Sequence, residues 1–181
     1  MTPRDLSSND GMIDQAAQLL LDTFRGRTAD WQDPESARAE VLESLAPDRV
    51  SRVMVDAAGT LVGWIGAILS YGGRVWEIHP LVVSPLHRRR GIGRALVADL
   101  ERLAASRGAL TLWAGSDDEH DETTLSGTDL YRDIPGALAT IRNLRDHPYE
   151  FYRRVGFSIA GVLPDANGRG KPDIFLAKRV G

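Results

Sequence analysis

Apolar residues recur at helical spacing in three long stretches of the chain. Each has a start signal: Asn9 or Asp10 is placed to cap the first, Asp33-Pro34 opens the second, and Gly91 precedes the third. The pattern therefore predicts amphipathic helices over residues 11–25, 34–46 and 92–106. In the second helix, the residues expected to point inward are Ala37, Val41, Leu42 and Leu45.

Apolar runs with strand character fill much of the remaining chain. Three consecutive strands are predicted between tight turns, and three shorter ones follow the third helix. A strand on each side of that helix favours a parallel pairing of the two. Two further helices are expected, over Ile134–Arg145 and Pro148–Val155. The predicted strands are Val50–Asp56, Leu61–Ser70, Val75–Val83, Ala109–Ala114, Phe157–Leu163 and Asp173–Ala177, and a very short strand is expected within residues 1–6.

The dipeptide His79-Pro80 interrupts the third long strand. Proline cannot donate a hydrogen bond to a neighbouring strand, so a bulge or a split of the sheet is expected there. Such a break leaves nearby backbone groups available to a ligand. The fold class is predicted as α/β (α+β), with a mixed, mostly antiparallel sheet split at this strand and flanked by helices.

A basic turn punctuated by glycines joins the third strand to the third helix. Successive backbone N–H groups in such a turn, together with the helix N-terminus, favour an anion. Arg88, Arg89 and Arg90 add full positive charges beside it. The turn is therefore interpreted as a phosphate or pyrophosphate site; the alternative is an ordinary strand-to-helix connection with a solvated basic face.

Length, composition and charge narrow the classes of protein. A chain of 181 residues is expected to form one domain over residues 1–181, and the absence of cysteine excludes disulfides and a cysteine nucleophile. No apolar run approaches the roughly 20 residues of a membrane helix, and the N-terminus has no signal-peptide core. A net charge of −3 does not indicate nucleic-acid binding. We therefore expect a cytoplasmic protein without membrane or nucleic-acid partners.

The order of elements and two motifs resemble the GCN5-related N-acetyltransferase (GNAT) superfamily. The first motif is Arg88-x-x-Gly91-x-Gly93, and the second is a tyrosine four residues before Gly-Phe in the segment Phe151–Phe157. The resemblance covers nearly the whole chain, most firmly residues 61–177. It implies the GNAT fold and acetyl-CoA as the co-substrate.

Longer strings are similar to one subgroup, the aminoglycoside 6′-N-acetyltransferases. They lie at Glu77–Val83, Asp117–Glu119, His147–Tyr152 and Asp165–Ile174. This closer resemblance implies transfer of an acetyl group to the 6′-amine of an aminoglycoside antibiotic, a role in antibiotic resistance, and a homodimer. Because no cysteine is present, direct transfer in a ternary complex is expected.

The resemblance also implies which residues bind the co-substrate. The basic turn is expected to bind the pyrophosphate through backbone N–H groups, with charge from the arginines, although Arg89 is equally compatible with full solvation. The backbone before the turn is expected to pair with the pantetheine arm. The candidate residues are Val82, Val83, Arg88, Arg89, Arg90, Gly91, Ile92, Gly93 and Arg94.

Four residues are candidates for catalysis. Glu77 is expected to act as general base, directly or through water, or else only to pair with a substrate ammonium. His79 is expected to orient substrate or water, with a purely structural role as the alternative. The N–H of Leu81 is the candidate for polarising the thioester carbonyl. Tyr152 is the candidate general acid for the leaving thiolate, the alternative being a core tyrosine.

Five carboxylates among residues 117–122 predict a negative surface that suits a polycationic amine. Asp117 and Asp118 are the candidates for substrate binding, together with Glu77 and His79. This cluster lacks the spacing of a calcium loop, so no metal is expected. Two alternatives stay open: acetylation of another amine, such as a polyamine, a small metabolite or a protein amine, and a non-catalytic acyl-CoA-binding module.

Overall fold

The computed structural model describes residues 1–27 and 30–180. The chain folds as two compact units: Met1–Leu112 with Val180, and Trp113–Arg179. The helices are α1 Asp10–Phe24, α2 Pro34–Glu43, α3 Ile92–Ser106, α4 Ile134–Ala139 and α5 Tyr149–Arg154; the strands are β1 Arg4–Asp5, β2 Arg49–Val55, β3 Leu61–Ser70, β4 Val75–Val83, β5 Thr111–Asp117, β6 Ser158–Leu163 and β7 Asp173–Arg179.

The first unit carries an antiparallel sheet in the order β1-β2-β3-β4. Helix α1 begins at the predicted cap, where the Asn9 side chain accepts from the Met12 N–H at 2.9 Å, and Asp33 caps α2 in the same way. The apolar faces of both helices join β2, β3 and β4 in one core. Fully buried Trp64 lies within it and donates its indole N–H to Ser51 Oγ at 2.8 Å.

A bulge interrupts the pairing of β3 with β4, as the sequence predicts. Ala67 pairs with Ile78 and Ile65 with Leu81, so two residues of β4 stand opposite Gly66 alone. The His79-Pro80 peptide bond is cis. A Cβ on Gly66 would lie 2.2 Å from the His79 carbonyl oxygen, so only glycine fits at this close approach.

The second unit contains β7 between β5 and β6, with β6 and β7 antiparallel. The Ser116 N–H donates to Asp173 Oδ1 at 2.7 Å, which joins β5 to the start of β7. None of the helices in the described part of the chain has the length and apolarity needed to cross a bilayer.

Two predictions about helices are wrong. The helix expected over Ile134–Arg145 ends at Ala139, because the segment after it pairs instead with residues 122–124. Thr123 and Asn143 form an antiparallel bridge, and the Leu144 N–H donates to the Glu122 carbonyl at 2.7 Å. In α2, Leu42 is exposed rather than inward, since the buried face runs through Ala37 and Val41.

Candidate active site

The basic turn between β4 and α3 has the geometry of an anion site. Arg89 and Gly91 have positive φ, at 60° and 80°, and no side chain caps α3. The first N–H groups of the helix therefore lack the usual capping acceptor and suit an anionic ligand. Arg88, Arg89, Arg90 and Arg94 are exposed to differing degrees, whereas the Ile92 side chain is buried and anchors the helix. These residues fit a pyrophosphate group.

The end of β4 leads into this turn. Val82 is buried, so only its backbone is available to a co-substrate, and it pairs with Trp64. Val83 pairs with Gly63, and its carbonyl accepts from Arg88 Nε at 3.4 Å. Leu81 is the first residue paired with β3 after the bulge. The roles predicted for these backbone groups stay predictions.

Glu77 and His79 lie on the same face of β4, the face opposite buried Trp76 and Ile78. Burial raises the pKa of the Glu77 carboxyl above its ordinary value, and the charges of His79 and Arg49 offset part of that increase. The inter-strand register sets Arg49, Ile68 and Glu77 in one row across β2, β3 and β4. A carboxylate with a raised pKa beside an imidazole is suited to proton transfer.

Helix α2 brings a second carboxylate to His79. Glu40 Oε1 lies 3.6 Å from His79 Nε2, an ion-pair distance longer than a direct hydrogen bond. The Trp31 ring lies 5.6 Å from the imidazole, centroid to centroid, and 5.0 Å from the Phe24 ring. His79 is therefore held between an aromatic side chain and a carboxylate, while about a third of its side chain (36%) stays exposed.

The pKa values of His79 and Glu40 reflect this pairing. The Glu40 carboxylate raises the pKa of His79, against the opposing effect of burial. Burial raises the pKa of Glu40, but contacts with His79, Trp31 and Arg49 outweigh it, so the net pKa is lowered. The pair is thus stabilised in its charged form.

Sequence analysis missed Glu40, Trp31 and Arg49 as neighbours of His79. One signal was available for Glu40: it shares the i, i+3, i+4 stripe of α2 with Ala37 and Val41, so a carboxylate lies on the apolar face. Arg49 pairs with Glu43, and its buried Nε makes no hydrogen bond in the described residues. Nothing in the local sequence indicates where the Arg49 side chain lies.

In the second unit, several of the carboxylates predicted to form a negative surface instead contact other residues of the same unit. Asp118 is fully buried, and its carboxylate accepts from the N–H groups of Glu122 and Thr123 at 2.7 and 2.8 Å. Burial raises its pKa, but hydrogen bonds from Glu122, Thr123 and Ser126 outweigh burial and the net pKa is lowered. This corrects the expectation that Asp118 belongs to an open surface, because its carboxylate already holds the loop together.

The neighbouring carboxylates differ in exposure. Asp117 ends β5 and is exposed, and its Oδ1 accepts from the Asn167 amide at 2.5 Å. Asp121 pairs with Lys171 at 2.6 Å, which neutralises part of the cluster. Asp117 therefore stays a candidate for substrate binding. The loop as a whole attracts a cationic substrate less strongly than its sequence suggests, because part of its negative charge is already paired.

A buried histidine organises the other side of this loop. His147 Nε2 donates to the Asp117 carbonyl at 3.1 Å, and its Nδ1 accepts from the Tyr149 N–H at 3.2 Å. These two bonds require the neutral Nε2–H tautomer. The Asn143 side chain holds the His147 backbone through both its amide N and its carbonyl oxygen. His147 and buried Tyr149 thus have structural roles.

Tyr152 lies on α5 between two aromatic rings. Its ring centroid is 5.4 Å from both Phe151 and Phe157 in edge-to-face arrangements. Burial raises the pKa of its hydroxyl well above the ordinary value, so the phenol is protonated at neutral pH. The raised pKa makes the phenol a weaker acid than an ordinary tyrosine, and its role as general acid stays a prediction. In the described part of the chain, no group of three or more acidic or histidine side chains is arranged to hold a metal ion.

Comparison with known proteins assigns the chain to a family. A model described as "Acetyltransferase (GNAT) family" matches residues 13–124. Among curated proteins, none matches this chain.

Solved structures match it over nearly its whole length. An aminoglycoside 6′-N-acetyltransferase complexed with coenzyme A is 45% identical, with a TM-score of 0.91 and coverage of 99% of this chain and 97% of the other. An aminoglycoside 6′-N-acetyltransferase from Enterococcus faecium is 46% identical, with a TM-score of 0.89 and the same coverage. An aminoglycoside 6′-acetyltransferase type Ii is 37% identical at a TM-score of 0.75, again covering 99% and 97%. The fold and family predictions are confirmed: the chain belongs to the acetyltransferase (GNAT) family.

Proposed function

We propose that this protein is an acetyl-CoA-dependent N-acetyltransferase that acetylates the 6′-amine of aminoglycoside antibiotics. The observation that carries the proposal is the half-buried Glu77 beside His79 on β4, on the strand that ends at an uncapped, arginine-rich helix N-terminus. Near full-length similarity to three aminoglycoside 6′-N-acetyltransferases supports the substrate class.

Acetyl-CoA supplies an activated thioester, and the chain's own residues position and deprotonate the amine. The backbone N–H groups of residues 88–94 would bind the pyrophosphate, with charge from the exposed arginines. Glu77 would accept the proton of the substrate ammonium, directly or through water, since its raised pKa favours proton uptake. The Tyr152 hydroxyl is the proposed donor to the departing thiolate, and the Leu81 N–H is the proposed donor to the carbonyl oxygen.

We propose direct transfer in a ternary complex, since no cysteine is available to carry an acetyl-enzyme on sulfur. The whole chain is proposed to act as one GNAT domain, in the cytoplasm and as a homodimer. Light scattering on the purified protein measures the oligomeric state, and a monomer at assay concentration would remove the homodimer from the proposal.

A screen of amine substrates tests the proposed function. Kanamycin, which has a free 6′-amine, is compared with an aminoglycoside that has a hydroxyl at that position, and product NMR locates the acetyl group. We expect acetylation only where the 6′-amine is present. Acetylation that ignores the 6′ position would overturn the regiochemistry.

Another amine is the second candidate substrate, because Glu40 and Glu77 would attract any protonated amine near His79. The same screen therefore includes spermine and a basic peptide. A kcat/KM far higher on either than on kanamycin would replace the antibiotic as the substrate. No thiol release with any amine would instead favour a non-catalytic acyl-CoA-binding module.

A further inference from the structure

The Glu40 carboxylate is placed to act on Glu77 through His79. Its Oε1 faces His79 Nε2 at 3.6 Å, and only 14% of its side chain is exposed. Glu77 lies two residues before His79 on the same face of β4. When the imidazole is protonated, its positive charge therefore acts on both carboxylates.

Glu40 is itself held in place. It lies on the buried side of α2 next to fully buried Ala37 and Val41. Contacts with His79, with the Trp31 side chain and with the charge of Arg49 keep it ionised despite its burial. A fixed carboxylate on a helix is a more constant partner for the imidazole than a solvated one.

The charged groups that face His79 come from three elements. Glu40 on α2 and Glu77 on β4 favour the imidazolium, whereas Arg49 at the start of β2 opposes it. Of these, Glu40 has the largest effect, and the Trp31 ring, tilted by 56° to the imidazole, adds no charge of its own. The protonation of His79 therefore depends chiefly on Glu40, and the positive charge of His79 in turn favours ionised Glu77.

We propose that Glu40 is a positioning residue, which fixes the His79 imidazole and favours its protonated form, and that protonated His79 in turn favours ionised Glu77. The consequence for catalysis rests on the proposed function, whereas the consequence for His79 does not. A purely structural Glu40 would affect stability without altering the titration of His79 or the pH profile.

The first test follows the His79 ring by NMR and needs no substrate. His79→Gln assigns its signal among the four histidines. We expect His79 in the wild type to titrate above the ordinary histidine value of 6.5 and to titrate at lower pH in Glu40→Gln. Glu35→Gln, the same change at an exposed position of α2, serves as the matched control.

Two outcomes of this titration would overturn the proposal. One is a wild-type His79 that titrates at or below 6.5, a result that does not require any variant to fold. The other is an unchanged His79 titration in folded Glu40→Gln.

The second test measures the pH dependence of kcat/KM with a 6′-amine substrate. In Glu40→Gln we expect an acidic limb displaced to higher pH, so that kcat/KM below the midpoint of the limb falls about tenfold for each pH unit of displacement. His79→Gln should have a similar effect, and adding Glu40→Gln to it should have little more. Independent, multiplying effects of the two changes would contradict the proposal. If no aminoglycoside is acetylated while the NMR result holds, the proposed function fails and the Glu40–His79 coupling stands.

Discussion

Two carboxylates, half-buried Glu77 in the first unit and fully buried Asp118 in the second, have opposite pKa shifts. Burial raises the pKa of both, but hydrogen bonds from Glu122, Thr123 and Ser126 reverse the effect at Asp118. Within the described residues the Glu77 carboxylate accepts no such bond, so its pKa remains raised. A carboxylate whose oxygens accept hydrogen bonds from the chain holds a loop in place. A half-buried carboxylate without such bonds takes up a proton more readily.

Removing the Asp118 carboxylate should have the largest effect on stability. Asp118→Ala leaves the N–H groups of Glu122 and Thr123 buried without acceptors, so we expect the free energy of unfolding to fall by about 3 kcal/mol. Urea unfolding measures this loss, with exposed Asp117→Ala as the neighbouring control. If Asp118→Ala were as stable as that control, the structural role of Asp118 would be rejected.

Disrupting the β-bulge at His79 should have the next largest effect on stability. Gly66→Ala places a methyl group against the His79 carbonyl oxygen, so we expect a loss of about 2 kcal/mol in unfolding free energy and reduced turnover. Gly11→Ala in α1, where the added carbon meets only Asn9 at 3.6 Å, should be neutral or stabilising. Wild-type stability in Gly66→Ala would contradict the close approach at the bulge.

The two carboxylates should also give opposite, smaller effects of pH on stability. The folded-state pKa of Asp118 is lowered, so its stabilising contribution is present above the ordinary value of 3.8 and lost as pH falls through the folded pKa. The folded-state pKa of Glu77 is raised, so its contribution is present below the ordinary value of 4.5 and lost as pH rises through the folded pKa.

Unfolding free energies measured from about pH 3 to pH 7 test this difference. Relative to Asp118→Asn, the wild type should lose stability on acidification. Relative to Glu77→Gln, the wild type should gain stability on acidification. If the stability difference from the variant changed with pH in the same direction for both residues, the two pKa shifts would not be opposite.

Much of the fold could be predicted because local signals and tertiary contacts agree. Leu61–Ser70, Val75–Val83 and Ile92–Ser106 have the predicted boundaries, since turns and glycines delimit each of them. The segment after Ala139 could not be predicted, because its pairing with residues 122–124 is non-local. Local periodicity carries no information about such a partner.

The candidate site divides in the same way. Glu77, His79 and the basic turn are readable from one contiguous stretch around Pro80. The role of Glu40 depends on a distant neighbour, since His79 lies 39 positions after it. The role of Asp118 depends on the course of the loop that follows it, because two N–H groups of that loop turn back to its carboxylate and the sequence does not specify that turn. The number of acidic residues in a segment does not show which carboxylates accept hydrogen bonds within the folded protein.

The pH profile of kcat/KM for acetylation of a 6′-amine, in the wild type and in Glu77→Gln, measures whether Glu77 is the general base. We expect an acidic limb in the wild type that reports a carboxyl titrating above 4.5. Glu77→Gln should abolish this limb and lower kcat/KM by about 100-fold or more. An unchanged limb with near wild-type kcat/KM in folded Glu77→Gln would show that Glu77 is not the base.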